Sequence, residues 1–188
     1  MHRGRQTHVL YEIELAALVL QFANGTTLDF TFALTTGRAN YIMFQALVAH
    51  FTGLIGNSEG GKADLRDDAG HAFEVKSYKD PLLHSAARDD LFHTAASSTF
   101  GPNNHGPTIN RLVRAGDYKG ALRICMDAGY GHNDYYVYTN TAQFGLAVPF
   151  RYFILPVADV LALLSTTDPR LVSRRQLLAA LSRTERLA

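Results

Sequence analysis

The chain has 188 residues, 47% hydrophobic and 19% charged, with a formal net charge of +1. That is enough chain for one domain with a buried core, and the composition excludes a disordered or collagen-like polymer. The near-zero charge argues against a non-specific nucleic-acid coat, and a single cysteine, Cys125, excludes a disulfide framework and a cysteine-based zinc site.

Residues 7–23 are apolar almost all round, which predicts a buried helix capped by Thr7 and ended by Asn24-Gly25. Glu12 and Glu14 make this run too charged, and its length makes it too short, to span a bilayer. No cleavage pattern follows Arg3 and Arg5, so no signal peptide is expected. A cytoplasmic protein with no membrane partner is the expectation. In residues 26–36, Leu28, Phe30, Phe32 and Leu34 alternate like a strand. Residues 38–55 predict a second helix, closed by Gly56 and Asn57. Two strands, 62–67 and 71–78, follow around Asp68-Ala69-Gly70, and Asp80-Pro81 ends the second. A third strand is expected at 91–97 and a loop at 97–107, SSTFGPNNHGP. Helices are expected at 108–115 and 117–128, the second capped by Asp117 and stopped by Gly129. YYVYTNT at 135–141 and RYFILPV at 151–157 read as strands, followed by helices at 158–165 and 171–183. The fold class is therefore α/β: one mixed domain over residues 1–188, with a central mixed β-sheet flanked by helices.

Charge is unevenly spread. Residues 59–90 hold eight acids and five Lys or Arg, whereas the stretch from Thr166 to the end holds five Arg and two acids. The acidic stretch contains the most informative pattern. Asp68-Ala69-Gly70 suits a three-residue hairpin loop whose last residue is left-handed. Counting outward from Asp67 and His71, Arg66 faces Ala72, Leu65 faces Phe73 and Asp64 faces Glu74. Side chains alternate along a strand, so Asp64, Glu74 and Lys76 share one face, while Ala63, Leu65, Phe73 and Val75 share the core face. Two carboxylates placed directly across a strand pair repel, and a divalent cation between them removes the repulsion. Mg²⁺ uses one or two carboxylates and completes its shell with water and phosphate. Lys76, about 7 Å along the same face at ~3.4 Å per residue, reaches a water or a phosphate oxygen there.

Asp64…Glu74-Val75-Lys76 across a short hairpin resembles the PD-(D/E)xK nuclease superfamily, and the size and layout resemble a Type II restriction endonuclease. The resemblance implies a restriction-endonuclease-like fold. It implies that Asp64 and Glu74 bind Mg²⁺ with the Val75 carbonyl, and that Lys76 orients or helps deprotonate the attacking water. Sequence-specific hydrolysis of double-stranded DNA by a homodimer, leaving 5′-phosphate ends, would follow. Ala63 stands where many members have Pro. Members often add an acid from a preceding helix. The helix at 38–55 offers only Gln45 and His50, which leaves Glu14 or Glu12 of the first helix as candidates.

Asp117-Tyr118-Lys119 is a second acid-x-Lys, explained by helix capping. His71, His84, His93, His105 and His132 show no metal-ligand spacing. Asn103, Asn104 and His105 form either an ordinary polar loop or a base-reading one. Arg111 and Arg114 share a helix face and either grip phosphates or lie solvated, and Lys79 is a further basic candidate beside the hairpin. Other readings stay open: a repair or phage nuclease or Holliday-junction resolvase on the same scaffold, or a non-catalytic DNA-binding module with a structural hairpin.

Overall fold

Where the sequence predicts a first helix over 7–23, the described residues form strands instead. Val9–Ile13 (β1) turns Val9 and Tyr11 to one side of a sheet and Leu10 to the other, and both sides are covered. An apolar run buried on both faces carries no period, so periodicity alone does not separate a central strand from a buried helix. Val19–Gln21 (β2) and Thr27–Asp29 (β3) then form a separate hairpin. Asn24-Gly25 is its turn, not a helix stop: Gly25 takes φ +82°, and Thr26 donates its N–H and hydroxyl to Asn24 Oδ1 at 3.0 and 2.7 Å. The computed structural model describes residues 3–14, 19–29, 40–56, 63–78, 91–93, 105–140, 149–181 and 185–187, so the remainder of the 26–36 stretch lies outside it.

Further along come helix Asn40–Thr52 (α1), strands Ile55–Gly56 (β4), Leu65–Arg66 (β5), Ala72–Tyr78 (β6) and Leu91–His93 (β7), and helices Gly106–Arg114 (α2) and Tyr118–Ala128 (α3). The chain closes with strands Tyr135–Asn140 (β8) and Phe150–Pro156 (β9), helix Val157–Ala162 (α4), strand Leu171–Ser173 (β10), helix Arg174–Leu181 (α5) and strand Glu185–Leu187 (β11). Among the described residues, seven strands form one mixed sheet in the order β11-β1-β9-β8-β6-β5-β4. Within it β6–β8 and β1–β11 run parallel and the other neighbours antiparallel. A parallel pair needs a crossover, and the α2–α3 pair lies within the one from β6 to β8.

Two expectations shift at the boundaries. Gly53, at φ +66°, stands just past the end of α1, ahead of Gly56, and the Arg5 guanidinium donates to the Thr52 and Gly53 carbonyls there. The predicted last helix opens instead as strand β10, which pairs with β7 outside the central sheet, and helix begins only at Arg174. Asp117 caps α3 as expected, its Oδ1 accepting from the Gly120 N–H at 2.9 Å.

The sheet is covered on both faces. On one side Phe73, Val137, Phe150, Tyr152 and Ile154 pack with Phe44 and Val48 of α1. On the other, Tyr136, Tyr138, Phe153 and Leu155 pack with Ile109 of α2 and with Ala121 and Cys125 of α3. Because β9 supplies large apolar residues to both cores, RYFILPV reads as a continuous run. No helix among the described residues is long and apolar enough to cross a membrane.

Candidate functional site

The hairpin turn forms as its sequence demands. Gly70 adopts φ +86°, and its N–H donates to the Asp67 carbonyl at 3.0 Å. Asp67 fastens the turn: Oδ1 accepts from the N–H groups of Ala69 and His71 at 3.0 and 2.8 Å, and Oδ2 meets His71 Nδ1 at 2.9 Å. Arg66 pairs with Ala72 and Leu65 with Phe73, the register read from the sequence.

One step further the ladder stops. The Asp64 N–H donates to the Phe73 carbonyl at 3.1 Å, and Asp64 Oδ2 accepts the Val75 N–H at 2.8 Å. Asp64 is therefore not set squarely across from Glu74 as expected; its carboxylate takes the backbone donor that another β5 residue would otherwise use. From Val75 onward β6 pairs with β8 on one edge and leaves the other to the site. A residue's N–H and C=O leave a strand on the same edge, so the Val75 carbonyl points the way its N–H does, toward Asp64.

Glu74 corrects a second expectation. The acid–lysine face does not look away from the core, because this sheet has a core on each side. Glu74 is 5% exposed, on the side where its registered neighbour Tyr136 is buried. Lys76 Nζ donates to Glu74 Oε1 at 2.5 Å, with the two side chains 17% and 7% exposed. Burial pushes the Glu74 carboxyl up, the Lys76 ammonium pulls it back, and the Asp64 charge raises it again. Asp64 is likewise raised by burial, against the opposing pull of the Val75 N–H, Lys76 and a hydrogen bond from Gln45. Two carboxylates that are each costly to ionise thus share one place with one ammonium.

That place is a cavity of about 430 Å³ lined by Phe44 and Gln45 of α1, by Asp64, by Glu74, Val75, Lys76 and Ser77 of β6, and by Thr139 of β8. At ~30 Å³ per water this admits more than ten waters, hence an ion with its hydration shell and a phosphate group besides. The donors are all oxygens: two carboxylates, the Val75 carbonyl and the Gln45 amide. This set fits a hard cation such as Mg²⁺. Among the described residues no three His, Cys, Asp or Glu side chains converge.

The other candidates fall elsewhere or outside the described residues. Glu14 is exposed just past the end of β1, which two strands, β9 and β8, separate from β6. At ~4.8 Å per strand that is about 14 Å across the sheet, so Glu14 does not complete the cavity, and no helix carries it there. Glu12 faces Arg151 on β9 and pairs with it at 2.5 Å. Arg111 and Arg114 are exposed on α2 and take no part in lining the cavity. His105 precedes α2, its carbonyl accepting the Ile109 N–H at 2.9 Å. Lys79, Asn103 and Asn104 lie outside the described residues. Sequence reading named Gln45 only as what α1 offers in place of an acid, and it missed Phe44, Ser77 and Thr139. Ser77 and Thr139 meet through the parallel β6–β8 register, which no local pattern announces.

The chain was compared with family models, with curated proteins and with solved structures, and none of the three gave a match. What the fold and the cavity define is an α/β protein with a mixed sheet, helices on both faces, and an acid–acid–lysine cluster at the open edge of β6.

Proposed function

We propose that the protein is a Mg²⁺-dependent DNA endonuclease of the restriction type, with a PD-(D/E)xK-like site and the homodimer that cutting both strands of a two-fold-symmetric sequence calls for. The observation that carries this reading is the convergence of Asp64, Glu74 and Lys76 in one open cavity, with the Val75 backbone tied to Asp64 at 2.8 Å. Asp64, Glu74 and the Val75 carbonyl would hold the ion. When bound, Mg²⁺ polarises a phosphoryl oxygen and lowers the pKa of a bound water.

The chain's own groups do the rest. The Val75 N–H and the Gln45 side chain fix the Asp64 carboxylate, and Glu74 fixes the Lys76 ammonium. Lys76 then has donors free for a non-bridging phosphate oxygen and the attacking water. Water adds to phosphorus and gives up a proton to solvent, the P–O3′ bond breaks, and the leaving 3′ oxygen takes up a proton. The products are 5′-phosphate and 3′-hydroxyl ends.

The test is digestion of plasmid and phage DNA with Mg²⁺ or with EDTA, followed by sequencing of the ends. Discrete bands that require Mg²⁺ and vanish in Asp64→Ala and Lys76→Ala support the reading. A smear, or cutting confined to branched DNA, moves the activity to a repair nuclease or a junction resolvase. Intact DNA with a gel shift leaves a binding module with a structural hairpin. Near-normal cutting by either variant removes that residue from the site.

A further inference from the structure

The cavity does not end at Asp64. Beyond Asp64 and Gln45 lies a second hollow of about 330 Å³, walled by Ile42, Ala46 and Ala49 of α1 and floored by Gly56 and Leu65 at the sheet edge. Asp64 and Gln45 line both hollows and are the residues the two share. Residues 42, 45, 46 and 49 sit one helical turn apart in pairs, so one stripe of α1 runs from the polar hollow into the apolar one. The chemistry changes abruptly across that boundary. One side carries two carboxylates and an ammonium; the other, past the Gln45 amide, carries methyl and methylene groups. Ile42 at the rim is 56% exposed.

A nucleotide has the same division. Its phosphate is charged, and the sugar and base bonded to it are largely apolar faces with polar edges. If the phosphate sits among Asp64, Glu74 and Lys76, the attached nucleoside must lie within one covalent step of it. The hollow that opens there is low-walled because Ala46, Ala49 and Gly56 are small. A side chain at Gly56 would meet nothing: a Cβ placed there has no atom within 4 Å. The Gln45 amide stands at the junction, where it can bond the sugar ring oxygen or a base edge.

We infer that this second hollow seats the nucleoside flanking the phosphate held at Asp64, so that the site grips one nucleotide unit, phosphate on one side of Gln45 and nucleoside on the other. This rests on the nuclease reading above. Loss or occlusion of an apolar contact of this kind changes recognition about tenfold or more.

The test is calorimetric titration of the full chain, in Ca²⁺ as a non-cleaving ion, with the dinucleotide dTpdT and with dimethyl phosphate as the nucleoside-free phosphate of the same charge. The expected result is dTpdT binding at least tenfold tighter than dimethyl phosphate. Gly56→Val, which fills open space, and Ala46→Leu, on an exposed helical position, should each weaken dTpdT about tenfold and leave dimethyl phosphate unchanged. The two variants guard against one of them failing to fold, and each is compared with the wild type by its Tm. Equal affinity for dTpdT and dimethyl phosphate, or dTpdT binding unaltered in both folded variants, overturns the nucleoside seat while leaving the nuclease reading standing. Failure of both ligands to bind, together with uncut plasmid, overturns both readings. A change in sedimentation between the wild type and the variants assigns the hollow to a second copy of the chain and also overturns the seat.

Discussion

Lys76 and Asp64 enter the cavity from opposite structural debts, and their removal should therefore separate stability from activity. Glu74 is buried, and its ion partner is the Lys76 ammonium at 2.5 Å. Lys76→Met strands that carboxylate, and removing one partner of a buried ion pair costs about 3–5 kcal/mol. Urea unfolding at neutral pH should show this loss, and adding Glu74→Gln should recover most of it, a coupling that a double-mutant cycle isolates. Equal midpoints for the single and double variants would show that Glu74 does not depend on Lys76. Asp64 is different. Its structural task is to accept the Val75 N–H, and an asparagine oxygen accepts the same bond. Asp64→Asn should keep nearly all the stability and lose the cutting. The residue proposed to hold the ion and the residue that balances the charge are thus distinguishable by their folding behaviour before any DNA is added.

At the scale of the element, the β5–β6 hairpin is held by chemistry contained within five residues, Asp67 to His71. The hydrogen bond and charge of Asp67 raise the His71 pKa above its ordinary value, because the imidazolium is the form that donates to the carboxylate. A group whose folded pKa is raised adds stability that is fully present below its unfolded pKa, about 6.5, and is lost as the pH climbs through the folded value. The Tm of the wild type should exceed that of His71→Asn below about pH 6.5 and converge with it in mildly alkaline buffer. Both partners reach solvent, so the gap will be small. A gap that widened with rising pH would contradict the pairing. This hairpin was readable from sequence because its determinants are local: a left-handed Gly70, an Asp that accepts three bonds, and a fixed count back to Leu65 and Phe73. The next step, Asp64, was placed one position wrong in kind. It bonds the Val75 backbone instead of standing opposite Glu74, and a side chain replacing a ladder bond leaves no trace in a period-two pattern. The first strand was hidden for another reason. Val9 to Tyr11 is apolar on both faces because β1 lies inside the sheet, and its neighbours β9 and β11 come from the far end of the chain.

At the scale of the molecule, the sheet carries a core on each face, and the site occupies the one edge where β5 ends before β6 does. Glu74 is buried on the side of its neighbour Tyr136, the face that the α2–α3 pair packs against and that a reading of the hairpin alone takes for solvent. Burial raises both Asp64 and Glu74, and the sign matters. A carboxyl whose folded pKa lies above its unfolded value of about 4 holds its proton longer in the folded chain, so stability falls as pH rises through that window. Above it the folded protein carries the full penalty of two crowded, buried charges. A cation bound between them removes that penalty and stabilises the fold by RT ln(1 + [L]/Kd), about 1.4 kcal/mol at ten times Kd. For a chain of this size that raises Tm by roughly 3–6 °C. Scanning calorimetry at neutral pH with Mg²⁺ against EDTA should show this rise in the wild type. The rise should shrink toward pH 4, where protons compete for the same oxygens, and disappear in an Asp64→Asn, Glu74→Gln double variant. An equal Mg²⁺ effect in the double variant would place the ion elsewhere on the molecule, and with it the chemistry assigned to the edge of β6.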